Sequence, residues 1–138
     1  MKGEYYHSID AKGRMIIPNK LRDELGENLV VTRGFDGCLY VYSEENWQQL
    51  ENQIKLLPQT KRKTLERFVL SKAVDCSLDS QGRILIPATL RTFASLTKDV
   101  AIIGVLERAE IWDKEKWDEY NDTLSPEEIE KAMEDIGF

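Results

Sequence analysis

Asp10-Ala-Lys-Gly-Arg14-Met-Ile-Ile-Pro18-Asn-Lys-Leu-Arg22 returns 69 positions later as Asp79-Ser-Gln-Gly-Arg83-Ile-Leu-Ile-Pro87-Ala-Thr-Leu-Arg91. Aspartate, glycine, arginine, isoleucine, proline, leucine and arginine recur in register. Downstream the match continues with one inserted residue: Gly34 corresponds to Gly104, Val41 to Ile111, Tyr42 to Trp112 and Trp47 to Trp117. Two copies of one small unit in a chain of 138 residues imply an internal pseudo-twofold axis.

Each copy reads alike. A short alternating segment (Tyr5–Ile9; Val74–Leu78) leads into a tight Asp-x-x-Gly turn and a β-branched run (Met15–Ile17; Ile84–Ile86). Aspartate accepts backbone N–H bonds inside such a turn and glycine tolerates positive φ, so the segment reads as a β-hairpin. Asp10, Gly13, Asp79 and Gly82 are therefore the expected turn residues. Pro18 and Pro87 preset the first turn of a short helix. A second hairpin follows, Leu29–Thr32 with Leu39–Tyr42 and Val100–Val105 with Ala109–Trp112. Ser43 and Asp113 then stand as helix caps before acidic first turns, with Trp47 and Trp117 as core anchors. Gln59–Lys72 reads as a helix joining the copies, and Ser125-Pro126-Glu127-Glu128 opens a last helix. The expected organisation is a first repeat at 4–47, a helical linker at 48–73, a second repeat at 75–119 and a helical tail at 120–138.

Composition narrows the function classes. The chain is 41% apolar and 32% charged, ordinary for a globular protein. No apolar run approaches the ~20 residues of a membrane span, and the first residues lack a secretion signal, so a cytoplasmic protein is expected. Cys38 and Cys76 read as small buried thiols; with His7 they are too few for a metal site. No phosphate loop or nucleophile–base spacing is visible. Neither an enzyme, nor a cofactor, nor a small-molecule substrate is expected.

Net charge is −6, but unevenly spread. Residues 1–75 carry 12 Lys/Arg against 11 Asp/Glu, whereas residues 76–138 carry 7 against 14. Overall charge therefore does not exclude a nucleic-acid partner of the first half.

The order strand, turn, strand, short helix, strand, strand, helix, given twice, resembles the MraZ family. The resemblance covers essentially the whole chain: Gly3-Glu-Tyr5, both Asp-x-x-x-Arg turns, Leu-x-x-Arg22, Thr32-Arg33-Gly34, Ile103-Gly104, Ile111-Trp112 and Ile136-Gly137-Phe138. It implies an α+β fold of two tandem AbrB-like hairpin units, interlocked about a pseudo-twofold into a small β-barrel with flanking helices. The physical motive is that a unit of ~45 residues buries too little apolar surface alone and leaves its strand edges open. The resemblance also implies a sequence-specific regulator of transcription, acting on G-rich direct repeats at the promoter of a division and cell-wall gene cluster. Self-association into a ring, octameric by resemblance, and an association with the nucleoid follow from it.

The arginines carry the site expectation. Aspartate four before arginine has a bland reading, a local ion pair worth about 0–1 kcal/mol when exposed. Arginine beside a turn glycine has a second: its planar fork matches phosphate oxygens and the O6/N7 edge of guanine. The resemblance makes Arg14 and Lys12 the leading DNA contacts, with Arg83 supporting because Gln81 replaces the lysine. Lys2, Lys20 and Arg33 are candidates for sequence-blind phosphate contacts. For Arg22 and Arg91 a partner on a neighbouring helix is expected instead. Lys61-Arg62-Lys63 reads as a nucleic-acid patch, a solvated face or a subunit contact. The acidic tail is expected to face away from DNA. The rival reading is a ring-forming interaction scaffold or antitoxin-like regulator whose main ligand is a protein.

Overall fold

A computed structural model describes all 138 residues. Eight strands and six α-helices follow one another as β1 (Lys2–Ser8), β2 (Arg14–Ile16), α1 (Asn19–Leu25), β3 (Asn28–Arg33), β4 (Leu39–Ser43), α2 (Glu44–Lys55), α3 (Gln59–Leu65), β5 (Val74–Ser77), β6 (Arg83–Leu85), α4 (Ala88–Phe93), β7 (Asp99–Val105), β8 (Arg108–Asp113), α5 (Lys114–Asp122) and α6 (Pro126–Asp135). A 3-10 turn covers Phe35–Gly37, and a π-helical turn, Glu66–Leu70, continues α3.

The local signals that start and stop these elements are visible in the geometry. Pro18 and Pro87 cap α1 and α4, Ser43 accepts from the Asn46 N–H at 3.1 Å, and Asp113 accepts from the Lys116 N–H at 3.2 Å. The β7–β8 connection has no glycine; Leu106 takes the positive φ of 60° that the tight turn requires.

Pairing crosses between the copies. The main sheet runs β1-β7-β8-β4-β3-β5, antiparallel throughout, and β2 pairs with β6 in a separate ribbon. Exchanging β1 with β5, β2 with β6, β3 with β7 and β4 with β8 reproduces the order, so the axis passes between β4 and β8 and through the ribbon. The first hairpin of each copy therefore opens. Only a single bridge, Ile9 to Met15, joins the arms in the first copy, while each arm finds its ladder in the other copy. This interlocking α+β arrangement closes the core with the ribbon and not with one continuous ring of hydrogen bonds.

The core has two compartments, one on each face of the sheet. On one face, Leu29, Val31, Leu39, Val41, Val100, Ile102 and Ile111 meet Met15 and Ile84 of the ribbon and Leu21 and Leu90 of α1 and α4. On the other, Tyr40, Tyr42, Ile103 and Trp112 are covered by Trp47 of α2 and Trp117 of α5. Burial on both faces explains why β4 reads Leu-Tyr-Val-Tyr-Ser with no exposed position. Cys38 and Cys76 are buried free thiols; desolvation raises both, Cys76 to about 11.

Candidate nucleic-acid interface

The two repeated turns have nearly superimposable bonding. Asp10 Oδ1 accepts from the N–H groups of Lys12 and Arg14, both at 2.9 Å, and Oδ2 accepts from Arg14 Nε at 2.7 Å. Asp79 does the same with Gln81 (2.9 Å), Arg83 N–H (2.8 Å) and Arg83 Nε (2.8 Å). The backbone N–H of the arginine is the largest cause that holds each carboxyl below its ordinary 3.8, and the guanidinium adds to it. Aspartate thus serves the turn and aims the arginine. It engages Nε only, so both terminal nitrogens of Arg14 and of Arg83 have no partner in the protein.

The ribbon brings the two arginines onto one surface. Arg14 lies opposite Leu85, Met15 opposite Ile84, and Ile16 opposite Arg83. Met15 and Ile84 are each 1% exposed and point into the core, so strand alternation turns Arg14, Ile16, Arg83 and Leu85 outward. Ile16 and Leu85 are 40% and 58% exposed. The outer face is a rectangle with arginines on one diagonal and aliphatic side chains on the other. Period-two alternation in Arg14-Met-Ile16 carries that signal in the sequence, but an isoleucine beside methionine reads first as core.

Each turn is buttressed by the other copy. Ile17 N–H donates to the Gly82 carbonyl at 3.0 Å, and Ile86 N–H to the Gly13 carbonyl at 2.9 Å. Arg22 Nε donates to the Ile17 carbonyl at 2.8 Å, and Arg91 Nε to the Ile86 carbonyl at 3.0 Å. Their partners are strand ends, where a neighbouring helix was expected. Gly13 has φ +87°, and a Cβ there would come within 2.9 Å of the Ile86 carbonyl oxygen and the Arg91 guanidinium. At Gly82, φ is +75° and a Cβ would meet the Arg22 guanidinium at 2.2 Å. Conformation and space both call for glycine.

Crossing also makes the turns electrostatically unequal. The second turn sits beside α1, and Asp23 and Glu27 line a cleft with Asp79 and Gly82. In the repeat, Thr92 of α4 stands where α1 has Asp23, so the surround of the first turn is less acidic. Lys12 is exposed at the tip of that first turn.

The remaining basic candidates are dispersed. Lys20 is exposed in the first turn of α1. Lys2 pairs with Val105 at the end of β1 remote from Asp10, so it does not join the ribbon face. Arg33, expected as a phosphate contact, is engaged within the protein. Its Nε donates to the Phe68 carbonyl at 2.9 Å and its Nη2 to the Arg67 carbonyl at 3.0 Å, with the guanidinium 4.3 Å from the Phe68 ring centroid. It fastens the linker to β3. No cluster of three or more metal-ligating side chains is present, and no helix is long and apolar enough to cross a membrane.

Comparison with known proteins agrees with this duplicated architecture. The family model described as "MraZ protein, putative antitoxin-like" matches twice, over residues 1–67 and 69–136. A protein of Thermoanaerobacter sp. (strain X514) named "Transcriptional regulator MraZ" is 53% identical over 142 aligned residues, covering 100% of this chain and 99% of the relative. Proteins of the same name from Alkaliphilus metalliredigens (strain QYMF) and Clostridium tetani (strain Massachusetts / E88) are 49% and 47% identical, each covering 99% of this chain and 98% of the relative. With both repeats matched and full-length relatives near half identity, the chain belongs to the MraZ family.

Proposed function

We propose that this protein is a transcriptional regulator that binds double-stranded DNA through the outer face of the β2–β6 ribbon. One observation carries the reading: two arginines, each aimed by an aspartate through Nε alone, present free terminal nitrogens on one rigid two-stranded surface. A two-stranded ribbon fits the major groove, where arginine forms paired bonds to guanine O6 and N7. Arg14 and Lys12 lead, since the surround of their turn is less acidic; Arg83 supports from the second turn. Lys20, exposed in the first turn of α1, adds a phosphate contact in this reading, whereas Lys2 is remote and Arg33 is bonded to the linker. The target is a set of G-rich direct repeats upstream of a division and cell-wall gene cluster. Several copies of the chain in a ring engage them together, so weak contacts multiply through effective concentration. A cytoplasmic, nucleoid-associated protein follows from that role.

Fluorescence anisotropy with a labelled duplex from upstream of the protein's own gene tests this. Affinity should fall linearly in log salt, and Arg14→Ala should cost about 1–3 kcal/mol and relax preference for guanine. Equal binding to scrambled DNA would sink the reading. It would favour a ring-forming scaffold or antitoxin-like regulator, to which the acidic second half offers a surface for a basic protein.

A further inference from the structure

The side chains on the ribbon cannot by themselves tell one end of a DNA site from the other. The pseudo-twofold of the β2–β6 ladder passes between Met15 and Ile84, and half a turn about it brings Arg14 onto Arg83 and Ile16 onto Leu85. Duplex DNA has local twofolds of its own, so both orientations of the ribbon in a groove offer these four residues like contacts. Direction has to come from residues around the ribbon that the pseudo-twofold does not repeat.

Three such positions flank each turn. At the tips, Lys12 has Gln81 as its counterpart; on the supporting helices, Thr92 of α4 has Asp23 of α1. The third pair is visible only in the backbone. Leu78 N–H donates to the Glu27 carbonyl at 2.9 Å, and in the equivalent bond Ile9 N–H donates to the Lys98 carbonyl at 2.8 Å. Leu78 precedes Asp79 and Ile9 precedes Asp10, so Glu27 borders the second turn and Lys98 the first. Sequence register hides this match, because the loop before β7 is longer than the loop before β3.

All six residues are exposed, and Lys12, Asp23, Glu27 and Lys98 form no ion pair within the chain. The groups common to both sides, Asp10 and Asp79, Arg14 and Arg83, Arg91 and Arg22, cancel from the comparison. What is left is two positive charges beside the first turn and two negative charges beside the second. Lys98 also borders a cleft with Asp99, Asp113, Glu115 and Asp118, which offsets part of its pull. Repulsion is therefore the stronger half of the contrast: Asp23 and Glu27 line one cleft of about 490 Å³ with Asp79 and Gly82 of the turn itself. Lys20 of α1 lies outside that cleft. At physiological salt such charges act over about 8 Å, so the contrast is felt by the phosphates next to each turn.

We propose that Asp23 and Glu27 make the ribbon a one-way reader. They keep the phosphate backbone from closing on the second turn, while Lys12 and Lys98 draw it onto the first, so each chain docks on double-stranded DNA in a single orientation. Rejection of the reversed pose supplies the direction that the twofold arginines lack. The element that one chain reads is then non-palindromic, with its guanine contact weighted to the Arg14 end. The inference rests on the ribbon reading proposed above and adds its direction.

Tethered cleavage of the duplex from upstream of the protein's own gene tests it. Cys38 and Cys76 are buried free thiols, so an iron chelate coupled to a Ser80→Cys variant marks the second turn and cuts the DNA beside it. In an otherwise wild-type chain the cuts should fall on one flank of each protected segment. Exchanging the two sides (Lys12→Gln/Gln81→Lys, Asp23→Thr/Thr92→Asp and Glu27→Lys/Lys98→Glu) leaves net charge unchanged and should move the cuts to the other flank. Equal cutting on both flanks by the unexchanged chain overturns the proposal. So does cutting on the original flank by the exchanged chain, or loss of DNA binding when circular dichroism shows that chain folded. Should the exchange unfold the protein, Asp23→Thr/Glu27→Lys decides. Its plot of log affinity against log salt should steepen by about 0.9 for each phosphate newly engaged, with cuts now on both flanks. An unchanged slope with one-sided cutting would remove these acids from the assignment. Binding no tighter than to scrambled DNA would instead sink the ribbon reading, and direction with it.

Discussion

At the residue scale, the role proposed for Arg14 and Arg83 depends on what fixes them. Aspartate binding at Nε removes the rotamer freedom that an exposed arginine otherwise gives up on meeting a ligand, so less entropy is lost on binding. Holding the carboxyls below 3.8 has a pH consequence of definite sign. Stability from a depressed carboxyl is present above its unfolded value and is lost as pH falls through the folded one. The melting temperature of the wild type should therefore drop on going from neutral pH to about pH 3, and Asp10→Asn/Asp79→Asn should show a smaller drop. Equal acid limbs would mean the turns contribute nothing there. Ile16 and Leu85 make a different prediction. The only apolar feature on a base-pair edge in the major groove is the thymine methyl. Replacing every thymine by uracil in the bound duplex should weaken wild-type binding about four-fold per methyl contacted, taking ~0.8 kcal/mol for each. Ile16→Ala/Leu85→Ala should bind both duplexes alike. A wild type indifferent to uracil would leave the aliphatic diagonal without a role in reading.

At the element scale, the linker shows how an irregular helix is put to use. The linker helix ends in a π-helical turn at Glu66–Leu70, and β3 takes up carbonyls of that last turn, which have no partner further along the helix. Thr32 Oγ1 donates to the Val69 carbonyl at 2.5 Å, while Arg33 takes those of Phe68 and Arg67. Arg33→Ala should lower stability by about 1–3 kcal/mol, read from urea melts. DNA affinity at a temperature where the variant is folded should be unchanged; a large loss of affinity would return Arg33 to the binding surface. Nothing in Thr32-Arg33-Gly34 announces the clasp, because it depends on a π turn more than thirty residues away. The hairpins β3–β4 and β7–β8 are legible in sequence, since their partners and turns are local. The arms β1 and β2 are not legible as a pair, because the Asp-x-x-Gly turn has the same chemistry whether its strands pair together or with strangers. For the site, the motif discloses Arg14, Arg83 and their aspartates. The outward position of Ile16 and Leu85 depends on register with the other copy and is visible only in the fold.

At the scale of the whole molecule, the crossed ladders make the two copies inseparable. β1 finds its ladder on β7, β5 on β3, and β2 on β6. A chain ending after Lys72 would leave β1, β2 and one side of β3 unpaired and half the core open to water. Such a fragment should lack a cooperative thermal transition in circular dichroism at concentrations too low for it to dimerise. A sharp monomeric melt would show that one copy folds alone. The duplication also lets charge drift between copies under a shared scaffold: each turn borrows its neighbours from the opposite helix, so acids on α1 tune the second turn and not the first.

The pairing of β1 with β7 has a consequence for synthesis. Lys2–Ser8 is the first strand to leave the ribosome, and its partner Asp99–Val105 is made about a hundred residues later. At about 5–20 residues per second the first strand waits roughly 5–20 s, its backbone unpaired and Tyr5 and Ile9 uncovered. During that interval the nascent chain is a substrate for chaperones, and neighbouring polysomal copies can capture one another's arms.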